Sequence, residues 1–416
     1  MVTRIPSAGW IKSRHSIPGE MHRKNPILAS TPATSRKSPE VGAVGSSEFA
    51  VSREAIRSLT REELLDRFRS WQQPQYRADQ VLHWIYDRQV ADWQAMTNIP
   101  LALRNRLRET FDVRPLSLVR QTGSRDATRK FLWRLNDGAL IESVLIPASP
   151  ALYGEPSDRL TLCVSTQVGC AYGCRFCASG LEGWKRNLSV DEIVDQWLAA
   201  ERHVAGEIPD QGGRRYRRVH NLVIMGMGEP LANYDALMKA LKILNSSWGG
   251  GIGARKITVS TSGLAPRIRQ LAGEPLQVRL ALSLHGGTDE VRERIMPVNR
   301  KYPLAELVAA CEEFNRSRGQ KITLEYVLIE GVNDGLDQVA PLADMAHRLR
   351  AKVNLIPYNT VPGLEWRRPS DAVQETFLEG LATRGVSATL RREKGHDIDA
   401  ACGQLRLRTE KEFNKS

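Results

Sequence analysis

Between residues 49 and 113 the apolar positions recur at helical spacing. Thr60 and Glu63 form a capping box ahead of Leu64, Leu65, Phe68 and Trp71 on one face. A second stripe carries Val81, Leu82, Trp84 and Ile85, and a third Leu101, Leu103, Leu107 and Phe111. The pattern predicts a small accessory domain of three or four helices over residues 49–115. Over 128–147 the period shortens to alternation, with Asn136-Asp137-Gly138 as a turn signal. That predicts a strand pair within a β extension spanning 116–155.

Past residue 160 the rhythm changes again. Short β-rich runs stand at Leu160–Ser165, Val219–Met225, Lys256–Thr261, Val278–Leu284, Thr323–Leu328 and Val353–Pro357. Amphipathic stretches separate them, such as 189–204, opened by Ser189 and Glu192 as a second capping box. Strand and helix in alternation mean βα units around a parallel sheet, so the class is α/β. Six units over about 200 residues fit an open, partial (βα)6 barrel over 156–390 better than a full eight-fold one. Chemistry in such a fold belongs at the C-terminal ends of the strands.

Residues 1–48 mix Ser, Pro, Gly and Thr with seven Lys/Arg and three acids and show no hydrophobic period. They are expected to be a disordered basic tail, or the product of a start codon placed upstream of Met21. Residues 391–416 form a C-terminal segment. The whole chain of 416 residues carries a formal net charge of +12. Much of that excess lies in the tail and in Gly213-Arg214-Arg215-Tyr216-Arg217-Arg218, so charge alone is weak evidence for a polyanionic partner. No apolar run approaches the roughly 18 residues that crossing a bilayer requires, so no membrane is expected.

Six cysteines are too few for a disulfide scaffold. Four of them crowd together: Cys163, and the C-x3-C-x2-C loop of Cys170, Cys174 and Cys177 just past the first barrel strand. Zinc sites usually show two thiol pairs, whereas iron–sulfur clusters normally take four thiolates. Three thiolates leave one iron open to a substrate or cofactor, and Phe176 is set to shield the cluster from water. A chance occurrence of the spacing is the alternative. Cys311, on an amphipathic helical stretch, reads as packing.

With this loop the sequence resembles the radical S-adenosylmethionine (SAM) enzymes, and within them the dual-specificity RNA methyltransferases of the RlmN and Cfr type. The likeness extends over nearly all of residues 50–405. It is carried by Tyr76-Arg77-Ala78, Trp84-Ile85-Tyr86, Ile141-Glu142-Ser143-Val144, Gly226-Met227-Gly228-Glu229-Pro230, Ser260-Thr261-Ser262-Gly263, Ser283-Leu284-His285, Asn354-Leu355-Ile356-Pro357-Tyr358-Asn359 and the ending from Asp397 to Leu405. Trp184 and His396 depart from the usual pattern without touching a proposed ligand.

The resemblance implies that Cys170, Cys174 and Cys177 ligate one [4Fe–4S] cluster. SAM would meet Gly228, Glu229, Ser260, Ser283, Leu284, His285 and Asn359. Cys402 would carry a methyl group taken from one SAM, and a second SAM, reductively cleaved, would yield a 5′-deoxyadenosyl radical that activates that methyl. Glu142 matches the family's proton-acceptor position, and Cys163 would be the transient disulfide partner of Cys402. Proton removal is assigned to Glu142 and Cys163 together. Without the family match, Cys163 reads as core, Glu142 as a solvated strand residue, and His285 as a strand-end cap.

The implied activity is methylation of adenine C2 in 23S rRNA and in tRNA. The implied setting is a cytoplasmic monomer reduced by a flavodoxin- or ferredoxin-like protein. C8 methylation of the rRNA adenine is the rival within the family. A radical SAM enzyme of a small molecule or protein, and a non-enzymatic zinc or iron–sulfur RNA-binding module, are the rivals outside it. RNA contact is expected at Arg214, Arg215, Tyr216, Arg217 and Arg218, where an aromatic ring lies among four arginines. Arg391, Arg392 and Lys394 add charge just before Cys402.

Overall fold

A computed structural model of the chain describes residues 53–123, 127–148, 159–205, 218–319, 322–391 and 404–413. The basic tail, Arg214, Arg215, Tyr216, Arg217 and Cys402 lie outside the described residues.

The accessory region opens on helix Arg61–Ser70. Its capping box is complete: Thr60 Oγ1 accepts from the Glu63 N–H and the Glu63 carboxylate accepts from the Thr60 N–H at 2.7 Å. Helix Gln75–Leu82 runs on through a π turn, His83–Asp87, and helix Leu101–Thr110 follows. A short parallel pair, β1 (Glu54–Ala55) and β2 (Phe111–Asp112), ties the two ends together. Two-residue strands carry no readable period, so the sequence did not announce this pair. The apolar faces of these helices share one continuous core with the barrel, and Tyr86 packs edge-on against Trp248 at 5.7 Å.

Ten strands form a single sheet among the described residues. In chain order they are β3 (Ser117–Gly123), β4 (Arg129–Arg134), β5 (Leu140–Pro147), β6 (Leu160–Cys163), β9 (Val219–Ile224), β10 (Ile257–Thr261), β11 (Arg279–Ser283), β12 (Thr323–Leu328), β13 (Lys352–Pro357) and β14 (Ala388–Leu390). A separate ribbon of β7 (Gln167–Gly169) and β8 (Trp184–Asn187) brackets the cysteine loop. From β6 through β9 to β14 every neighbour is parallel, while β3, β4, β5 and β6 pair antiparallel. All six β-rich runs are strands, so the α/β partial barrel stands as expected. The sheet is longer than the sequence indicated at both edges. β14 has three residues and β3 is partly exposed on both faces, so neither presents an apolar stripe.

The second capping box is half formed. Glu192 Oε2 accepts from the Ser189 N–H at 2.9 Å, but the Ser189 hydroxyl donates to Asp191 Oδ1 at 2.6 Å. Helix Val190–Ala205 nonetheless buries Trp197 completely against the sheet. Cys311 is buried in helix Leu304–Arg318, as its packing role requires.

Candidate active site

The parallel strands present their C-terminal ends to one cavity of about 370 Å³. Cys163 closes β6, the turn after β9 supplies Gly228 and Glu229, β10 offers Ser260 next to its last residue, β11 ends at Ser283 with His285 just beyond, and Asn359 follows β13. Cys170, Cys174 and Cys177 complete the wall, with Phe176 between the last two. Ten of the residues that the sequence assigned to the site therefore converge from elements far apart in the chain.

Glycine is required in the turn after β9. Gly228 holds φ at +98°, and a Cβ there would lie 2.5 Å from Gln167 Cβ. Gln167 Oε1 in turn accepts from the Glu229 N–H at 2.8 Å. The Glu229 carboxylate takes N–H groups from Leu231 at 3.0 Å and Ser262 at 2.7 Å. Burial raises its pKa against these hydrogen bonds. Ser260 and Ser283 place their hydroxyls 3.4 Å apart on adjacent strands.

His285 is held in a left-handed backbone conformation, φ +57°. Its Nδ1 accepts from the Val327 N–H at 3.0 Å, leaving the ring proton on Nε2. Burial and the nearby Arg292 charge push the imidazole down to about 3, so it is neutral at physiological pH. Phe176 packs edge-on against it at 5.0 Å. Arg292, wholly buried, donates to Leu284 O, Ser262 O and Asn299 Oδ1 at 3.1, 2.5 and 2.7 Å, which locks the loops after β10 and β11.

Two expected site residues do not reach the cavity. Leu284 turns into the core because strand alternation sends it opposite to Ser283 and His285. Glu142 is buried beside the cavity, not solvated: its carboxylate meets Lys130 Nζ at 2.8 Å and the Arg406 N–H at 2.6 Å. No disulfide forms among the described residues, and the Cys163 side chain is buried. Arg218, the described member of the basic run, is half-buried at the foot of β9, its N–H donated to the Glu201 carboxylate.

The sequence missed Glu325, which lines the cavity from β12 and accepts from Asn354 Nδ2 at 2.7 Å. A lone carboxylate inside the apolar run Thr323–Leu328 was the available signal. Arg391, assigned only to surface charge, also lines the cavity.

The three loop thiols suit a cluster better than a single ion. Among the described residues no group of three or more His, Cys, Asp or Glu side chains could hold one metal ion. A cluster binds each thiolate to a different iron and so takes a wider spread. Burial pushes the Cys170 thiol up to about 12, so it becomes a thiolate only beside compensating positive charge such as iron. The buried Ser179 hydroxyl faces the same cavity without a partner, as expected where a polar ligand sits.

Residues 164–343 match the Radical SAM superfamily, and residues 55–113 match the ribosomal RNA large subunit methyltransferase N-terminal domain. The chain is 55% identical over 365 residues to the probable dual-specificity RNA methyltransferase RlmN 3 of Opitutus terrae, covering 88% of this chain and 97% of that one. It is 47% identical over 350 residues to the dual-specificity RNA methyltransferase RlmN of Anaeromyxobacter dehalogenans, covering 84% and 91%. The crystal structure of a radical SAM methyltransferase from Sphaerobacter thermophilus superposes with a TM-score of 0.77 at 45% identity, covering 84% of this chain and 98% of that one. The chain therefore belongs to the RlmN family of dual-specificity RNA methyltransferases, within the radical SAM superfamily.

Proposed function

We propose that this protein methylates C2 of an adenine in 23S rRNA and in tRNA, with Cys402 carrying the methyl group and Cys170, Cys174 and Cys177 holding a [4Fe–4S] cluster. The observation that carries the reading is one cavity walled by the three loop cysteines, by Cys163 and by Gly228 and Glu229. At a cluster held by these three cysteines, one SAM would supply the methyl group and a second the 5′-deoxyadenosyl radical.

The chain's own residues have separable tasks. The buried Glu229 carboxylate receives the ammonium end of SAM. Ser260, Ser283, Asn359 and the neutral His285, donating from Nε2, orient the rest of it. Phe176 and the apolar wall of Val144, Ile146 and Val327 exclude water from a radical-bearing site. Adenine C2 lies between two ring nitrogens and is a poor nucleophile, which is why a thiolate must accept the methyl first. Cys163 lines the cavity and is assigned the transient pairing with Cys402 that frees the methylated base, and it shares proton removal from C2 with Glu142, buried beside the cavity. The target adenine leaves its stack to enter, and the arginines of 214–218 meet the phosphates around it. The electron comes from a flavodoxin- or ferredoxin-like donor, and the setting is the cytoplasm.

Anaerobic reconstitution with tRNA and 23S rRNA fragments, followed by nucleoside mass spectrometry, tests this reading. C2-methyladenosine from both RNAs is expected. C8-methyladenosine from the rRNA fragment alone would replace it with the rival activity.

A further inference from the structure

We propose that the Ser179 and Tyr358 hydroxyls donate hydrogen bonds to sulfur atoms of the cluster held by the cysteine loop and thereby raise its reduction potential. This rests on the reading of Cys170, Cys174 and Cys177 as cluster ligands and deepens it, since neither hydroxyl is itself a ligand.

The two side chains reach the cluster cavity from separate elements. Ser179 sits in the 3-10 turn Ala178–Gly180, directly after the last loop cysteine, and the Gly180 N–H donates back to Cys177 O at 3.3 Å. Tyr358 directly follows β13, and its N–H donates to Leu328 O at the end of β12 at 3.0 Å, which fixes its backbone. Both residues line the same cavity as the three loop thiols. Ser179 is 2% exposed and Tyr358 3%. Neither hydroxyl oxygen has a hydrogen-bond partner within the protein.

A buried hydroxyl without a partner is disfavoured against an apolar group of the same shape. A methyl group and a phenyl ring would fill these two spaces at less cost, so the partner belongs to something bound in the cavity. Its chemistry is that of an acceptor. Burial pushes the Tyr358 phenol up to about 12, and the neighbouring Cys177 charge pushes it the same way. The Val361 N–H opposes them from the acceptor side of the oxygen, so the phenol keeps its proton and offers it as a donor.

The surrounding charge favours the same partner. Burial raises the Cys174 thiol most, and the other two loop thiols and Glu229 add to it, with Arg292 opposing. Negative charge therefore crowds the loop, and a cluster on three thiolates adds sulfide and thiolate sulfur that accept hydrogen bonds. The polar ends of SAM, by contrast, have Glu229, Ser260, Ser283, His285 and Asn359 to meet. Donors at cluster sulfurs favour the reduced, more negative state, and so ease entry of the electron that precedes SAM cleavage.

The test reads the cluster and not turnover. Full-length enzyme is reconstituted anaerobically, and iron and sulfide are counted. Redox titration followed by electron paramagnetic resonance is then run without SAM or RNA on wild type, Ser179→Ala, Tyr358→Phe and the double variant. At a fixed ambient potential the ratio of reduced to oxidised cluster is expected to fall about threefold in each single variant. In the double variant it should fall about tenfold, a shift of about 59 mV for one electron. Iron content should match wild type throughout. Unchanged potentials would overturn the proposal, and calorimetry with SAM would then show whether the hydroxyls serve SAM instead. Should one variant lose iron, the other decides alone; loss from both would show that the hydroxyls support the loop itself and would overturn the proposal. Wild-type protein that takes up no cluster would overturn the functional reading, an outcome distinct from unchanged potentials in the variants.

Discussion

Arg57 Nη1 lies 2.7 Å from Asp195 Oδ2, and both side chains are almost wholly buried. The guanidinium belongs to the turn before the first accessory helix and the carboxylate to helix Val190–Ala205 of the barrel. Beside the pair, Ser58 Oγ donates to Asp191 Oδ1 at 2.9 Å, so the two regions are joined by polar contacts set into a shared apolar core. Arg57→Ala would strand a buried carboxylate and is expected to cost about 3–5 kcal/mol of stability. Arg57→Met combined with Asp195→Leu should recover most of that loss. Urea unfolding of the three proteins checks both expectations, and an undiminished midpoint for Arg57→Ala would refute the assignment.

His285 makes stability depend on pH in a definite direction. Its folded-state pKa of about 3 lies below the unfolded value, about 6.5. Between those values the unfolded chain binds a proton that the folded chain refuses. The contribution is therefore full above pH 6.5 and is lost as pH falls toward 3. His285→Asn tolerates the left-handed backbone and should flatten this acid limb. Unfolding midpoints at pH 7 and pH 5 for both proteins measure it, and parallel pH dependences would contradict the account.

Gly228→Ala meets two obstacles, the +98° φ and the contact with Gln167. Moving Gln167 withdraws the acceptor that holds the Glu229 N–H, so the carboxylate shifts with it. SAM affinity should fall at least tenfold, about 1.4 kcal/mol, by titration calorimetry. Iron content should be unchanged because no cysteine moves; loss of iron together with affinity would show that the turn supports the cluster loop instead.

Cys163→Ala should leave Cys402 methylation intact and block release of the base. RNA would then remain attached to the protein under denaturing conditions. Free methyladenosine at the wild-type rate would show that Cys163 is only a core residue of β6.

Cys174→Ser is expected to lose the cluster and every later step. Iron and sulfide analysis after anaerobic reconstitution checks this. Retention of a full cluster would mean that the thiols at Cys170 and Cys177 have another partner.

Local pattern was enough for the accessory helices and the six central strands, because a packed helix or strand must show its apolar face at a fixed period. The same logic failed at β3 and β14, short edge strands that bury too little to leave a stripe. The cysteine loop was legible because its residue type and spacing are demanded by iron chemistry, whereas the Gly228-Glu229 turn was reached only through the family resemblance, and the structure supplies the reason for its glycine, a φ of +98°.

What the sequence by itself determined is therefore the accessory helices and the six central strands, their order, and the residue types that bring chemistry. Only the tertiary structure decided which way each side chain faces. It turned Leu284 into the core and carried Glu325 and Arg391 to the cavity wall. It joined Glu142 to Lys130 and Arg406, across 264 residues in the latter case. The reason is physical: periodicity reports burial within one element, whereas the partner of a buried charge is chosen by packing between elements distant in the chain.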